Sequence, residues 1–237
     1  MDCLYAPDLH EDSTIISVEK DEVKHAKSLR LKIGERVLLS SGTGLIALCT
    51  VESINSYQAV FSIHEIRKNI HELPGRFAIA IGILHNKDRM EYMIEKLTEL
   101  GITDFYPLIS THAESHSCDE KRLMSKMVSA LKQCKRSILP VLHKPITINE
   151  LLTISAQYTI HILADPSGKN SIDYPEYTNT NNNSIIAFIG PEGGFSAQEL
   201  QIISSISTIQ TLSLGNRRLR AETAAIAVSS IIQYTWQ

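Results

Sequence analysis

Ile189-Gly190-Pro191-Glu192-Gly193-Gly194-Phe195-Ser196 and Leu214-Gly215-Asn216-Arg217-Arg218-Leu219-Arg220-Ala221-Glu222-Thr223-Ala224 are two Gly-rich segments between Ser184 and the C-terminal Gln237. Each leaves a short apolar, β-rich run, Ile185–Ile189 and Thr211–Leu214, and each leads into a helical pattern. The unit therefore reads strand, loop, helix, strand, loop, helix. In open α/β sheets ligands sit at the carboxyl ends of strands, where both loops lie. Gly190, Gly193, Gly194 and Gly215 carry no Cβ, so the backbone there is open to close approach. A cofactor is expected at these two loops.

Upstream, the pattern divides. Residues 1 to about 70 are β-rich: Arg36–Ser40 and Leu45–Val51 flank the turn Ser41-Gly42-Thr43-Gly44, and Ala59–Ile63 is a third strand. Lys20–Leu31 has a helical look, and several short strands closing on themselves suggest a small barrel. His71-Glu72-Leu73-Pro74-Gly75 breaks the pattern and marks a boundary, giving domains 1–72 and 73–237.

Beyond it, Phe77–Leu84 reads as a strand buried on both faces. Asp88–Leu100 reads as a helix with Met90, Met93, Ile94, Leu97 and Leu100 at helical spacing, Asp88 and Glu91 as its capping box, and Gly101 as its stop. Ile102–Ile109 is a strand, Asp119–Arg136 an amphipathic helix, and Tyr158–Leu163 a further buried strand. Strand and helix in alternation imply a parallel sheet. Lys169–Ser184, with Asn181-Asn182-Asn183, is a polar insertion expected to be mobile. Ser196 and Glu199 form a capping box for the next helix. From Ala221 to Ile232 the last helix carries one charge, Glu222. A helix apolar nearly all round is buried on all sides, which at the end of a chain points to a homodimer through this helix.

The 237 residues suffice for two domains. No apolar run approaches the ~20 residues of a membrane span, and Met1-Asp2-Cys3-Leu4-Tyr5 resembles no signal peptide. Cys3, Cys49, Cys118 and Cys134 are scattered, so reduced thiols in a cytoplasmic protein and no metal are expected. A net charge of −3 is unlike a non-specific nucleic-acid binder. Local charge differs: Lys121, Arg122, Lys126, Lys132, Lys135, Arg136 and Lys144 form one basic set, and Lys20, Lys24, Lys27, Arg30, Lys32 and Arg36 another. Focused patches of this kind suit RNA. There is no G-x-G-x-x-G after a strand, no P-loop and no G-x-S-x-G, and nine histidines form no H-E-x-x-H. What remains is backbone fit to hold an adenine, beside Arg217, Arg218, Arg220 and Glu222, fit for an anionic partner.

Together the two loops resemble the signature of the knotted methyltransferases of the SPOUT superfamily, and most closely the family that methylates ring N3 of a uridine in 16S ribosomal RNA. Gly190–Glu199 meets that family's G-P-E-G-G-[FL]-[ST]-x-x-E. Leu214–Ala224 meets its L-G-x-[RN]-[IL]-L-R-x-E-T-A, with Arg218 at the Ile position. Lys87, Met90-Glu91 and Glu95–Ile102 are similar to its first helix. Ala130–Arg136 resembles A-x-E-Q-x-x-R with Lys132 in place of Glu. Pro107–His112 matches a loop that commonly ends in Arg, and His25–Gly34 retains Leu29-Arg30.

The resemblance implies an N-terminal PUA-like RNA-binding β-barrel and a C-terminal α/β domain with a deep trefoil knot, an exception to the rule against knots. It implies S-adenosylmethionine held by Leu163, Ile189, Gly190, Glu192, Gly193, Gly194, Leu214, Gly215, Leu219 and Thr223, largely through backbone. It implies 16S rRNA in the small ribosomal subunit as partner, contacted by Arg30, Lys87, Gln133 and Arg136. Removing the N3 proton calls for a positive charge near the uracil and for a base. Arg220 is expected in the first role and Glu222 as base or positioning group; the bland alternative makes Arg220 and Glu222 a structural ion pair. Alternative activities are ribose 2′-O methylation by a related knotted enzyme, or RNA binding by a non-catalytic assembly factor.

Overall fold

A computed structural model describes residues 1–169 and 184–236, so the polar insertion falls almost entirely outside the described residues. The elements in chain order begin with β1 (Cys3–Tyr5), β2 (Ile15–Glu19), α1 (Asp21–Ser28), β3 (Arg36–Ser40), β4 (Leu45–Ile54) and β5 (Gln58–Lys68). Next come β6 (Arg76–Gly82), α2 (Lys87–Glu99), β7 (Asp104–Ile109), α3 (Glu120–Cys134), β8 (Val141–Leu142) and β9 (Ile146–Thr147). The chain ends with α4 (Ile148–Ser155), β10 (Ile160–Lys169), β11 (Ser184–Ile189), α5 (Ala197–Ser204), β12 (Ile209–Leu212) and α6 (Ala221–Thr235). They form two units, Met1–Glu72 with Met127–Leu139, and Leu73–Lys126 with Pro140–Gln237. The segment Met127–Leu139, which the sequence reading leaves in the second domain, thus belongs to the first unit.

In the first unit one five-stranded sheet runs in the order β1-β3-β4-β5-β2. β1 lies parallel to β3, and the other pairs are antiparallel. The β3–β4 turn is closed by Ser41 Oγ, which accepts from the N–H groups of Thr43 and Leu45. Alternate residues of the strands, among them Leu39, Val51 and Phe61, pack with Val23 and Ala26 of α1 into one apolar cluster. β1, at three residues, is too short to leave a periodic trace in the sequence, and β2, which alternates exposed and buried over Ile15–Glu19, has no counterpart in the sequence reading.

The second unit carries a seven-stranded sheet in the order β12-β10-β11-β6-β7-β8, with β9 also on β7, and every pair is parallel. β6 from Phe77 onward and all of β11 are buried, as a sheet covered on both faces requires. β12 lies at the sheet edge, yet α6, which follows it, packs on α2, β6 and β11. The chain therefore returns from the edge to the middle of the sheet, and the second Gly-rich loop makes that crossing.

Several boundaries differ from expectation. α2 is capped by Asn86, whose side chain accepts from Arg89 N–H at 3.0 Å. Asp88 sits inside the first turn, and Glu91 is buried against Arg122 at 2.7 Å, so the expected Asp88–Glu91 box does not form. Asn86 has extended backbone and a side-chain oxygen, which is what a cap needs. The Ser196–Glu199 box on α5 does form. β10 continues past Leu163 to Lys169, with a register shift against β12 between Ala164 and Lys169. β12 ends at Leu212, two residues before the expected end. β8, β9 and the eight-residue α4, which has its own Thr147–Glu150 capping box, have no counterpart in the sequence reading.

Candidate functional site

The two Gly-rich segments leave the carboxyl ends of β11 and β12 and meet in space. The first turns back at once, Gly194 N–H donating to Pro191 O at 2.8 Å, before Ser196 opens α5. Its path is set by β6: a Cβ on Gly82 would stand 2.5 Å from Pro191 Cδ and 2.6 Å from Pro191 N. The second segment turns at Gly215, whose φ of +99° is left-handed backbone that side chains disfavour. It ends at Arg220, the N-cap of α6, which gives that helix no side-chain cap.

Between the segments lies a cavity of about 420 Å³. Ala164, Asp165 and Pro166 of β10 form one wall, residues from Ile189 to Phe195 a second, and residues from Leu214 to Ala221, with Ala224 one turn into α6, a third. Asp165 is oriented by its own loop, one carboxylate oxygen accepting from Ser167 N–H and hydroxyl. Arg217, Arg218 and Arg220 all reach the cavity, and among the described residues none of the three forms an ion pair. Arg218 makes only a long hydrogen bond to the Glu192 carbonyl, 3.4 Å.

The remaining wall is Arg89, which the sequence reading does not single out. Its Nε donates to Glu222 Oε1 at 2.8 Å, its Nη2 to Glu222 Oε2, and its Nη1 to Glu192 Oε1 at 3.1 Å. Glu222 is therefore paired with Arg89, and the Arg220–Glu222 ion pair considered from sequence does not form. Burial pushes the Glu222 carboxyl up; the Arg89 hydrogen bonds and charge, a backbone N–H bond and the nearby Arg220 charge together outweigh it and bring the group below its ordinary value. A carboxylate with both oxygens engaged is a poor proton acceptor, so the expected base role does not suit it. Arg220 stays exposed at the cavity, beside the uncapped N-terminus of α6. Both favour negative charge at that spot.

Of the residues expected at the cofactor, Ile189, Gly190, Glu192, Gly194, Leu214, Gly215 and Leu219 line the cavity. Leu163 is buried one residue before the wall, and Gly193 faces away, its α-carbon against His112, where a Cβ would meet His112 Cβ at 2.9 Å. Thr223 is exposed on α6 outside the lining, because a helical turn carries Ala224 and not its neighbour to the face of Arg220. Among the expected RNA contacts, Arg30, Lys87 and Gln133 are exposed. Arg136 is not: it is 1% exposed and bonded to Glu72 at 2.7 Å. Lys132, standing where the family commonly has Glu, is paired with Glu22 at 2.7 Å. Among the described residues no three His, Cys, Asp or Glu side chains gather as a metal site, and no helix is long and apolar enough to cross a membrane.

Comparison with known proteins agrees with this architecture. Residues 71–233 match an RNA methyltransferase domain family, and residues 18–63 an RNA methyltransferase PUA domain. The ribosomal RNA small subunit methyltransferase E of Rickettsia conorii is 30% identical over 219 residues, covering 92% of this chain and 88% of the relative. The enzyme of the same name from Neisseria gonorrhoeae, solved bound to S-adenosyl methionine, superposes with a TM-score of 0.86 at 25% identity, covering 100% of this chain and 98% of that one. A putative methyltransferase from Legionella pneumophila in complex with the same cofactor gives 0.85 at 26% identity, over 98% and 97% of the two chains. With an RNA methyltransferase family model matching residues 71–233, more than half of the chain, and a relative this similar over nearly the full length, the chain belongs to the ribosomal RNA small subunit methyltransferase E family.

Proposed function

We propose that the chain transfers the methyl group of S-adenosylmethionine to ring N3 of a uridine in 16S rRNA of the small ribosomal subunit. The observation that carries this reading is the cavity where the two Gly-rich segments meet. Its volume of about 420 Å³ is of the size that holds a cofactor-sized molecule, and much of its wall is backbone at Gly190, Gly194 and Gly215. Leu163, Ile189, Glu192, Gly193, Leu214, Leu219 and Thr223 complete the proposed cofactor set, those outside the wall acting through the shape of the loops. When bound, S-adenosylmethionine supplies an electrophilic methyl group on a sulfonium.

The chain's own part is electrostatic. N3 methylation needs the N3 proton to leave, which puts negative charge on the uracil. Arg220, on the cavity wall at the N-terminus of α6, is the group proposed to stabilise that anion together with the first N–H groups of the helix. Glu222 serves position and not proton transfer. N3 lies on the Watson–Crick edge, so the target nucleotide must be unpaired or flipped out. Arg30, Lys87 and Gln133 are the proposed RNA contacts, with the PUA-type unit as an RNA-binding module.

We infer that the crossing of the second loop from β12 back to α6 closes a trefoil knot, a reading supported by the packing of α6 on the middle strands. The outer face of α6 exposes Ile231 and Tyr234, 38% and 86%, and the protein is proposed to act in the cytoplasm as a homodimer through that face. The test is methyl transfer from labelled S-adenosylmethionine to small subunits of a strain lacking this protein, followed by nucleoside mass spectrometry. A 3-methyluridine product that disappears in Arg220→Ala supports the reading. A 2′-O-methylated nucleoside moves the target to ribose, and no transfer together with no cofactor binding leaves a non-catalytic assembly factor.

A further inference from the structure

We propose that Arg89 is the positioning residue that clips the two cavity loops together and withholds Glu222 from the reacting base. The proposal rests on the methyl-transfer reading of the cavity. Arg89 is fixed at its root. Its N–H is taken by the Asn86 cap, and the helix it opens is anchored by Met90, Met93 and Ile94, each 3% exposed or less. Its tip is fixed as well, by a fork-shaped pair of bonds to Glu222 and a third bond to Glu192. A planar guanidinium makes such a two-point grip, which a lysine ammonium cannot reproduce.

The two acids belong to different loops. Glu192 lies within the first segment, and Glu222 sits two residues beyond Arg220, where the second segment enters α6. One side chain, 25% exposed and itself part of the cavity wall, thus ties three strand-end elements into one frame. Without it the Glu222 side chain, 9% exposed, would be an unpaired buried anion next to the site. That anion would oppose the negative charge arising on the uracil. With Arg89 in place, the Glu222 charge is countered by a cation that also grips Glu192, and Arg220 is left without an ion pair among the described residues.

The experiment is calorimetric binding of S-adenosylhomocysteine, with thermal melting and steady-state methyl transfer on the same samples, for wild type, Arg89→Met, Arg89→Lys and Glu192→Gln. Asp104→Asn serves as the comparison for stability alone, since Asp104 is buried against Arg76 and His143 and has no part in the cavity wall. Arg89→Met is expected to raise the dissociation constant at least tenfold and to lower kcat at saturating cofactor. Arg89→Lys should fall between, because an ammonium lacks the planar fork that grips both acids. Asp104→Asn should melt earlier with its dissociation constant unchanged.

A folded Arg89→Met with affinity and kcat within threefold of wild type overturns the clip. So does an Arg89→Lys that binds and turns over as wild type does. If Arg89→Met does not fold, Glu192→Gln, which loosens only the partly exposed arm, must still weaken binding by threefold or more; unchanged binding there overturns the proposal too. Absence of binding by wild type removes the methyl-transfer reading and the clip with it. Wild-type binding with an indifferent Arg89 removes the clip alone.

Discussion

Glu72 accepts two hydrogen bonds from the guanidinium of Arg136, 2.7 Å from Nη2 and 3.0 Å from Nε, with both side chains all but buried. Its other oxygen accepts from the N–H groups of Ser137 and Ile138, each at 2.8 Å. The carboxylate therefore gathers three successive residues of the Met127–Leu139 segment into the first unit. Arg136, which by motif reads as an RNA contact, is a structural cation. Glu72→Gln removes one partner of this buried pair, and such a removal costs roughly 3–5 kcal/mol. Urea unfolding should show that loss; an unshifted midpoint would contradict it. In RNA titrations Arg30→Ala should reduce the slope of log affinity against log salt by about 1, as a lost phosphate contact does, and Arg136→Met should not.

Gly82 is a second fastening. Within a buried strand, an added Cβ would run into backbone and ring atoms of Pro191 at 2.5–2.6 Å, and neither can swing aside as a flexible side chain would. Gly82→Ala must therefore displace the first loop or bend β6. Overpacking of this kind costs about 1–3 kcal/mol. Because the displaced loop is a cavity wall, affinity for S-adenosylhomocysteine should fall about tenfold, which at ~1.4 kcal/mol matches that range. Calorimetry showing wild-type affinity would mean the loop absorbs the methyl group.

His161 makes stability depend on pH. It is 4% exposed on β10, its Nε2–H donating to the Ser155 carbonyl at 2.9 Å while Nδ1 accepts from the Thr208 hydroxyl at 2.7 Å. That pattern belongs to the neutral ring. Burial pushes its pKa down, with the Ser155 bond opposing more weakly. The unfolded chain then takes up the proton first, near its unperturbed value of about 6.5. The contribution is fully present above that pH and is lost as pH falls through it towards the lower folded value. Urea midpoints should drop between pH 8 and pH 5, and His161→Gln should flatten the drop. Equal slopes in the two proteins would remove the role.

What could be read from the sequence and what could not divides along a physical line. The two Gly-rich segments were legible because their chemistry is local: Gly and Pro set the turn, and Ser196 with Glu199 caps the helix within four residues. The α/β alternation was legible because apolar runs of strand length recur. Ion pairs were not, since charge pattern does not name a partner. Arg89 finds Glu222 133 positions away, Lys132 finds Glu22 at 110, and Arg136 finds Glu72 at 64. Seen as a pattern, Lys132 and Arg136 look like part of an RNA-binding face and Arg89 does not stand out; in the fold each is paired with an acid. Asn86 was missed as a cap because Asp88, two residues on, offers the same signal.

Arg220 and Glu222 stand two positions apart but should separate in kinetics. Arg220 lines the cavity and among the described residues has no ion pair, so removing it takes charge from the site without leaving a buried partner. Arg220→Ala should keep cofactor affinity within a few-fold while kcat falls about 10²–10³, the usual loss for one preorganised charge facing a developing anion. Arg220→Lys should recover part of it. Glu222, with both oxygens on Arg89, should behave otherwise. If it were the base, Glu222→Gln would abolish the acid limb of the pH–rate profile. Held as it is, Glu222→Gln should lower cofactor affinity together with rate and leave the shape of that profile unchanged, because the proton on N3 goes elsewhere. A lost acid limb with unchanged affinity would return Glu222 to proton transfer and make Arg89 its tuner.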